Sequence, residues 1–340
     1  MIDLLVVGAG PVGLVTAIHA VQAGLEVTII EPRVGTIDKA CGEGLMPGAL
    51  AHLIRIGIDP PGMDFLGIRY ISGNRTAEAR FSSGTGRGVR RTTLHDCLRQ
   101  RAKELNINFV EGRVEEIIQS SSHVEASGIQ SRYLIAADGL HSSARKQLNL
   151  GIGVKSRTRP RYGLRQHFEI APWSDFVEVY WSQNAEAYVT PVDHQTVGIA
   201  VLGNTSLNFE EVIKSLPKLS QRLNSAPPVS KLRGAGPLRQ RVRARSVGRV
   251  LLVGDAAGYV DALTGEGLRV GFAEGEAAVS AVVANDPNSY EAEWNGITRS
   301  YRWLTSGLLG ASSNRIIRPM IVPAAQKLPF VFRRLVNTLK

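Results

Sequence analysis

The chain has 340 residues, 44% of them hydrophobic and 35 of them glycine, enough for one large or two ordinary domains around a sizeable core. Its two cysteines, Cys41 and Cys97, form no CxxC pair, which argues against a disulfide scaffold and for a reducing, cytoplasmic setting; the seven histidines are scattered, with no zinc-type spacing, so no metal is expected. The net charge of +10 has two local sources, Arg157, Arg159, Arg161 and Arg165, then Arg239, Arg241, Arg243, Arg245 and Arg249; without an accompanying nucleic-acid-binding module they read as solvated faces, the alternating second group as the outer face of an edge strand.

The first thirty-odd residues spell a nucleotide-binding βαβ unit. Leu4 to Val7 is an apolar run suited to a buried parallel strand, followed by Gly8, Gly10, Pro11, Val12 and Gly13. Gly8 permits a tight turn, Gly10 lets the backbone approach a pyrophosphate, and Gly13 lets the next helix pack closely on the sheet. That helix carries Val12, Val15, Ile18 and Val21 on one face and ends at Gly24. Val27 to Glu31 supplies a second strand, whose carboxylate, 18 positions beyond Gly13, is placed to bond a ribose hydroxyl. Residues 4 to 25 carry no charge, as in a membrane span or signal sequence, but Asp3 replaces a cationic leader and four glycines with Pro11 suit a turn better.

A loop from Arg33 to Pro47 leads to a helix over Gly48 to Ile56, and residues 64 to 89 read as short strands broken by glycines. A helix is expected from Thr93 to Leu105, with Arg91 just before it, then strands at Asn108 to Glu111, Val114 to Gln119, Val124 to Ser127 and Tyr133 to Ala136. From Gly163 to Leu202 the pattern is β; a polar helix is expected over Asn208 to Asn224. Arg249 to Val253 is a short apolar strand, Gly267 to Ala284 a small-residue helix, and the last 50 or so residues read as helical, interrupted at Pro319, Pro323 and Pro329. The expected fold class is α/β, a Rossmann-like domain (1–63, 90–150, 246–290) interrupted by a β-rich substrate domain (64–89, 151–245), with a helical C-terminal segment (291–340).

Two further strand ends carry chemistry. Tyr133 to Ala136 runs into Asp138-Gly139, followed by Ser142, Ser143 and Arg145; Val250 to Val253 runs into Gly254-Asp255-Ala256-Ala257-Gly258 and on to Gly265-Glu266-Gly267-Leu268. A carboxylate at a strand's carboxyl edge accepts bonds from sugar-like hydroxyls, small residues admit a large planar group, and a helix starting near Gly267 points its positive end there.

In motif order and spacing, residues 1 to roughly 285 resemble the FAD-dependent class A (aromatic hydroxylase-like) flavoprotein superfamily, especially the branch shared with geranylgeranyl reductases and flavin-dependent halogenases. The resemblance implies that Gly8, Gly10, Pro11, Val12 and Gly13 cradle the FAD pyrophosphate, with Glu31 on the ribose and Arg33 nearby. It implies that Arg91 contacts the chain between ribityl and phosphates, that Asp138 and Gly139 touch FAD and NAD(P)H, that Gly254 and Asp255 meet the ribityl, and that Gly265, Glu266, Gly267 and Leu268 line the isoalloxazine. Lys39-Ala40-Cys41-Gly42-Glu43-Gly44-Leu45 resembles the reductase branch's Cys-Gly segment beside the flavin. Three departures stand out: Ala262 where the family has proline, Trp173 and Trp181 failing to reproduce the tryptophan-halogenase motif, and a short chain for the reductase branch.

The implied activity is an FAD-dependent oxidoreductase: a monooxygenase in which NAD(P)H reduces the flavin, O2 adds at C4a and an aromatic or lipophilic small molecule is hydroxylated. The alternatives are reduction of an isoprenoid or other double bond, and a flavin-binding accessory factor acting on a partner protein. Cys41, Gly42 and Glu266 are the candidate catalytic residues, although Cys41 is also read as a packing residue and Glu266 as a helix cap. His95 and His141 are expected at the surface or just behind the cofactor; Tyr180, Trp181 and Tyr188 line a pocket or fill the core. The basic, apolar tail from Arg315 to Val336 packs on the body or touches a membrane surface, which would suit a lipophilic substrate.

Overall fold

Three strands of one parallel sheet end at the same level, and that level is where the glycine-rich turns fall. In the computed structural model, which describes residues 1–153, 160–204 and 207–338, strand Ile2–Val7 lies between Ile129–Ala136 and Val27–Glu31. Outside these run Val250–Leu252 and Asn108–Glu111, all parallel. Val7 aligns with Ala136, and Ala136 with Leu252, so Gly8, Asp138 and Gly254 leave the sheet along one carboxyl edge, the usual ligand-binding edge of such sheets. Near-continuous Val, Ile and Leu in Ile2–Val7, Val27–Glu31 and Val250–Leu252 follow from burial on both faces.

Helix Pro11–Gln22 and helix Gly267–Val283 cross on one face of this sheet. A Cβ on Gly271 would lie 2.5 Å from Val12 Cγ2, and one on Gly275 2.4 Å from Thr16 Oγ1, so two glycines one turn apart form the groove into which Val12 and Thr16 fit. Glu274, on the same helix and buried, accepts from Gly254 N at 2.6 Å and so holds the third strand end from behind.

A second sheet of seven strands runs Arg233–Ala235, Arg161–Glu169, Thr196–Asn204, Ala185–Asp193, Val177–Trp181, Gly67–Ser72, Arg75–Arg80. Two short helices, Phe209–Lys214 and Pro217–Leu223, cover one face with their own apolar cluster. A small sheet, Gly44–Leu45, Gly86–Gly88 and Met63–Phe65, abuts the second sheet so closely that a Cβ on Gly88 would lie 1.7 Å from Pro191 O. Half-buried Arg161 bonds Glu186 (2.8 Å) and Asp261 (2.9 Å), and Arg318 from the tail pairs with Glu186 (2.6 Å), which ties the second sheet to the loop before Gly265.

Several expectations change. The helix expected over 208–224 is two helices, because Pro217 starts a new one. The strand expected over 114–119 is confined to Ile117–Gln119. Arg91 is the first residue of helix Arg91–Glu104 rather than a residue before it. Pro323 sits in the first turn of helix Ile321–Lys327, where its missing N–H is harmless, and does not interrupt it. Of the arginine groups, Arg157 and Arg159 lie outside the described residues; Arg241–Val242 is a strand of only two residues, and Arg245 bonds Glu291 at 2.8 Å and stacks on Trp294. In the tail, Phe332 and Val336 of helix Pro329–Thr338 pack on Ala77 and Ala79, while Phe330, Val331 and Leu335 stay exposed. Among the described residues no helix is long and apolar enough to cross a membrane.

Filling the helix groove should cost stability: Gly271→Ala is expected to destabilise by about 1–3 kcal/mol in chemical denaturation, and Val12→Ala in the same chain to restore part of it. A second expectation concerns pH. Burial pushes the Glu274 carboxyl up to about 8, so the folded chain keeps a proton that the unfolded chain releases near the ordinary value of 4.5. Its contribution is greatest below 4.5 and is lost as pH rises through about 8. Glu274→Gln should therefore flatten the fall in melting temperature across that range; parallel melting curves for the two proteins would contradict it.

Candidate functional site

The first strand end builds a floor of bare backbone. A Cβ on Gly8 would lie 2.7 Å from Ala137 O, and one on Gly13 only 1.9 Å from Gly8 O, so neither position admits a side chain. Gly8 also has φ +102°, the region glycine enters without strain. Pro11 occupies the first turn of its helix, leaving the N-terminal N–H groups facing the turn. The Val12 side chain points away, into the Gly271 groove. Ala9 N donates to Glu31 Oε2 (2.9 Å), and Arg33 donates to Oε1 through Nε (2.6 Å) and N (3.2 Å). Burial opposes the charge on Glu31, yet Arg33 and Ala9 hold its carboxyl below the ordinary value.

Over this floor sits Arg91. Arg91 as a residue is 6% exposed, its Nη2 lies 4.0 Å from where a Cβ on Gly10 would be, and among the described residues its guanidinium donates to nothing; only its backbone N is engaged, with Glu43 Oε1 at 2.9 Å. Burial lowers its pKa, the mark of a cation without its anion. His95 is fully buried, not at the surface: it accepts at Nδ1 from Ile37 N (3.3 Å), which leaves Nε2–H to donate to Ala9 O (2.9 Å) and pin the glycine turn. His141 is exposed.

At the second strand end, Asp138 Oδ2 accepts from Ser143 Oγ (3.2 Å) and Ala144 N (3.1 Å), while Oδ1 is buried with no partner among the described residues. Lys39 Nζ lies 3.6 Å from where a Cβ on Gly139 would be. At the third, Asp255 is half-buried; burial raises its carboxyl, and Lys39, Arg91 and Arg145 oppose the rise. Arg145 fastens the last two ends together, donating to Asp255 O and Ala256 O (both 3.1 Å) and to Leu140 O (2.7 Å). A cavity of about 350 Å³ opens beside Gly254 and Asp255, walled by Tyr259, Gly267, Trp294 and Tyr301.

The fourth group comes from two loops. A Cβ on Gly265 would lie 2.9 Å from Met46 Cε, which brings the segment after Cys41 against the segment before helix Gly267–Val283. Gly267 lies beside the Tyr259 ring, and Leu268 packs on the main core. Glu266 stands at the helix N-cap but makes no cap bond, contrary to the capping expectation. It is buried, paired with Arg269 through Oε2, and Oε1 has no partner among the described residues. Burial pushes it up to about 7.

Cys41 is half-buried, accepts from Glu43 N (3.4 Å), and has its thiol pushed up by burial, so it is a poor nucleophile at neutral pH. Gly42 O accepts from Thr190 Oγ1 at 2.8 Å, which fastens this segment to the second sheet. Tyr180 donates to Glu178 Oε2 (2.7 Å), Trp181 is buried in an apolar cluster, and Tyr188 donates to Leu263 O (3.0 Å), so these three hold structure.

The structure adds residues that sequence reasoning passed over. Lys39 and Arg145 were legible only as neighbours of motifs. Buried Glu43 takes His167 Nε2 on Oε2 (2.6 Å), and His167 Nδ1 meets Ser230 Oγ (2.8 Å); nothing in the spacing of positions 43, 167 and 230 signals that contact.

The donor set suits a dinucleotide: backbone N–H groups and an unpaired guanidinium for phosphates, and carboxylates with free lone pairs for hydroxyls. Residues 97–282, more than half of the chain, match the family described as the FAD binding domain. The chain is 26% identical to a menaquinone reductase of Mycolicibacterium smegmatis, over 86% of this chain and 79% of that protein. It is 29% identical to digeranylgeranylglycerophospholipid reductase 2 of Methanosphaera stadtmanae, over 80% of this chain and 75% of that one. In structure it is similar to the flavin-dependent halogenase CmlS, with a TM-score of 0.83 and 16% identity over 99% of this chain and 72% of the other, a likeness of fold. The buried, anion-seeking cleft and the family match agree: this chain belongs to the FAD binding domain family and is an FAD-dependent oxidoreductase.

Proposed function

We propose that the chain is an FAD-dependent reductase that uses NAD(P)H to saturate a double bond in a lipophilic, isoprenoid-like substrate. The observation that carries this reading is the Cys41-Gly42 segment, bonded to Thr190 of the second sheet and brought by Met46 against Gly265. Similarity to proteins named as menaquinone and digeranylgeranylglycerophospholipid reductases supports it.

In this reading Gly8, Gly10, Gly13 and Arg91 take the pyrophosphate of FAD, Glu31 the ribose, and Asp138 and Asp255 the remaining hydroxyls. Gly254, Gly265, Gly267 and Leu268 give the flat ring room. FAD, when bound, supplies the two-electron chemistry. Glu266, pushed up to about 7, keeps a proton at its unpartnered Oε1 for the second carbon of the reduced bond. The neutral Cys41 thiol packs beside the reacting centre, and the second sheet excludes water. Exposed Phe330, Val331 and Leu335 beside Arg333 and Arg334 suit pickup of substrate from an anionic membrane surface.

Monooxygenation is the second reading, since the same cleft would serve an aromatic substrate with O2. One experiment separates them. Reduced protein is incubated without oxygen with a long-chain isoprenoid in anionic vesicles, and products are weighed by mass spectrometry. The reductase reading expects a product with two added hydrogens and a strong loss of turnover in Glu266→Gln. A product that forms only in air and carries one added oxygen atom would overturn it in favour of monooxygenation.

A further inference from the structure

His19 on helix Pro11–Gln22, His52 on helix Pro47–Arg55 and Glu276 on helix Gly267–Val283 meet on the outer side of the first sheet's helical layer. The Nε2 atoms of His19 and His52 are 2.7 Å apart, Glu276 Oε2 is 3.9 Å from His52 Nδ1, and one donor atom from each of the three residues lies within 4.8 Å of the other two. We propose that this cluster binds one divalent transition-metal ion of the zinc class, with His19, His52 and Glu276 as ligands and water completing the shell.

The donor types select the ion. Two imidazoles and one carboxylate suit Zn²⁺, Co²⁺ or Ni²⁺, whereas Mg²⁺ and Ca²⁺ prefer all-oxygen sets. Imidazole must be unprotonated to ligate. The contacts require neutral rings: Arg55 Nη2 donates to His52 Nδ1, and the 2.7 Å approach of the two Nε2 atoms needs one of them without a proton. The rings are also fixed in place: they meet edge-on with centroids 4.9 Å apart, and His52 lies 5.6 Å from the Phe272 ring.

Without metal, Arg55 Nη2 donates to His52 Nδ1 at 3.2 Å, so His52 carries its proton on Nε2 and donates it to His19 Nε2. A metal ion takes the place of that shared proton, which moves to His52 Nδ1, and the ring stays neutral before and after. Nitrogens bound at about 2.0–2.1 Å to a tetrahedral ion sit about 3.3 Å apart, a small opening of the present contact. Arg55 is the competitor, since its Nη2 holds Glu276 Oε2 at 2.7 Å; but its side chain is 58% exposed, and such a pair is weak and readily exchanged. The ion would join the helix behind the glycine turn, the helix after the Cys41 segment and the helix that starts at Gly267. It would stiffen the cleft from behind without entering it.

The test uses the full chain with its flavin and without a polyhistidine tag, titrated with CoCl2 by visible absorbance and ZnCl2 by calorimetry, with MgCl2 as control. The expected result is one Co²⁺ or Zn²⁺ per chain, with Mg²⁺ not binding and the flavin spectrum unchanged. His19→Asn and Glu276→Gln, both at partly exposed positions, should each weaken binding roughly tenfold or more, while Arg55→Ala should tighten it. Melting curves in EDTA establish that the variants are folded. Absence of saturable binding, equal binding of Mg²⁺, or binding that neither His19→Asn nor Glu276→Gln weakens overturns the proposal.

Discussion

The site depends on one uncompensated charge. Arg91 is 6% exposed and its guanidinium lies over a floor of bare glycine backbone, yet no carboxylate among the described residues bonds it. A buried cation left alone costs several kcal/mol, so a fold keeps one only where an anion completes it. Around it the chain places further unfinished groups: the first-turn helix N–H donors of Val12 and Gly13, Asp138 Oδ1 and the half-buried Asp255. All of them face one edge of one sheet because three parallel strands stop at the same level. In the binding mode we propose, the pyrophosphate of FAD meets Arg91 and the helix N–H groups, and the hydroxyls of FAD meet the carboxylates.

The scaffold around this edge is arranged so that nothing else fills it. Gly8 and Gly13 cannot carry a side chain without striking backbone, and Gly271 and Gly275 let helix Gly267–Val283 come close enough for Glu274 to reach Gly254 N. The second sheet then closes the far side through Thr190 on Gly42 and His167 on Glu43, and the Arg161–Glu186–Arg318 group secures the loop before Gly265. The Cys41–Gly265 end of the cleft is thus shaped by contacts between two sheets, and the Gly8–Glu31 end by one sheet alone.

That difference explains what the sequence made legible. Gly8, Glu31, Asp138 and Gly254 lie at or just past the ends of apolar strands, and Gly10 and Gly13 at the start of the next helix, where backbone geometry demands particular residue types that local pattern picks out. For Glu266 the sequence leaves a catalytic acid and a helix cap both open, and the fold removes the cap, since the side chain turns to Arg269 and stays buried. Arg91 looked like a residue before a helix, and only the fold reveals that its side chain lacks an anion. Glu43 with His167, and His19 with His52 and Glu276, join positions far apart in the chain, so no spacing rule could expose them.

The most direct measurement compares FAD and riboflavin binding to flavin-free wild type and Arg91→Leu by fluorescence quenching, together with the melting temperature of each flavin-free protein. If the lone guanidinium awaits the pyrophosphate, Arg91→Leu loses FAD affinity by roughly ten- to a hundredfold, since a charge-assisted bond is worth about 1.5–3 kcal/mol. Riboflavin, which has no phosphate, binds both proteins alike, and the variant melts at a higher temperature because an unpaired buried charge is gone. Unchanged FAD affinity, or an equal loss for riboflavin, would contradict the account.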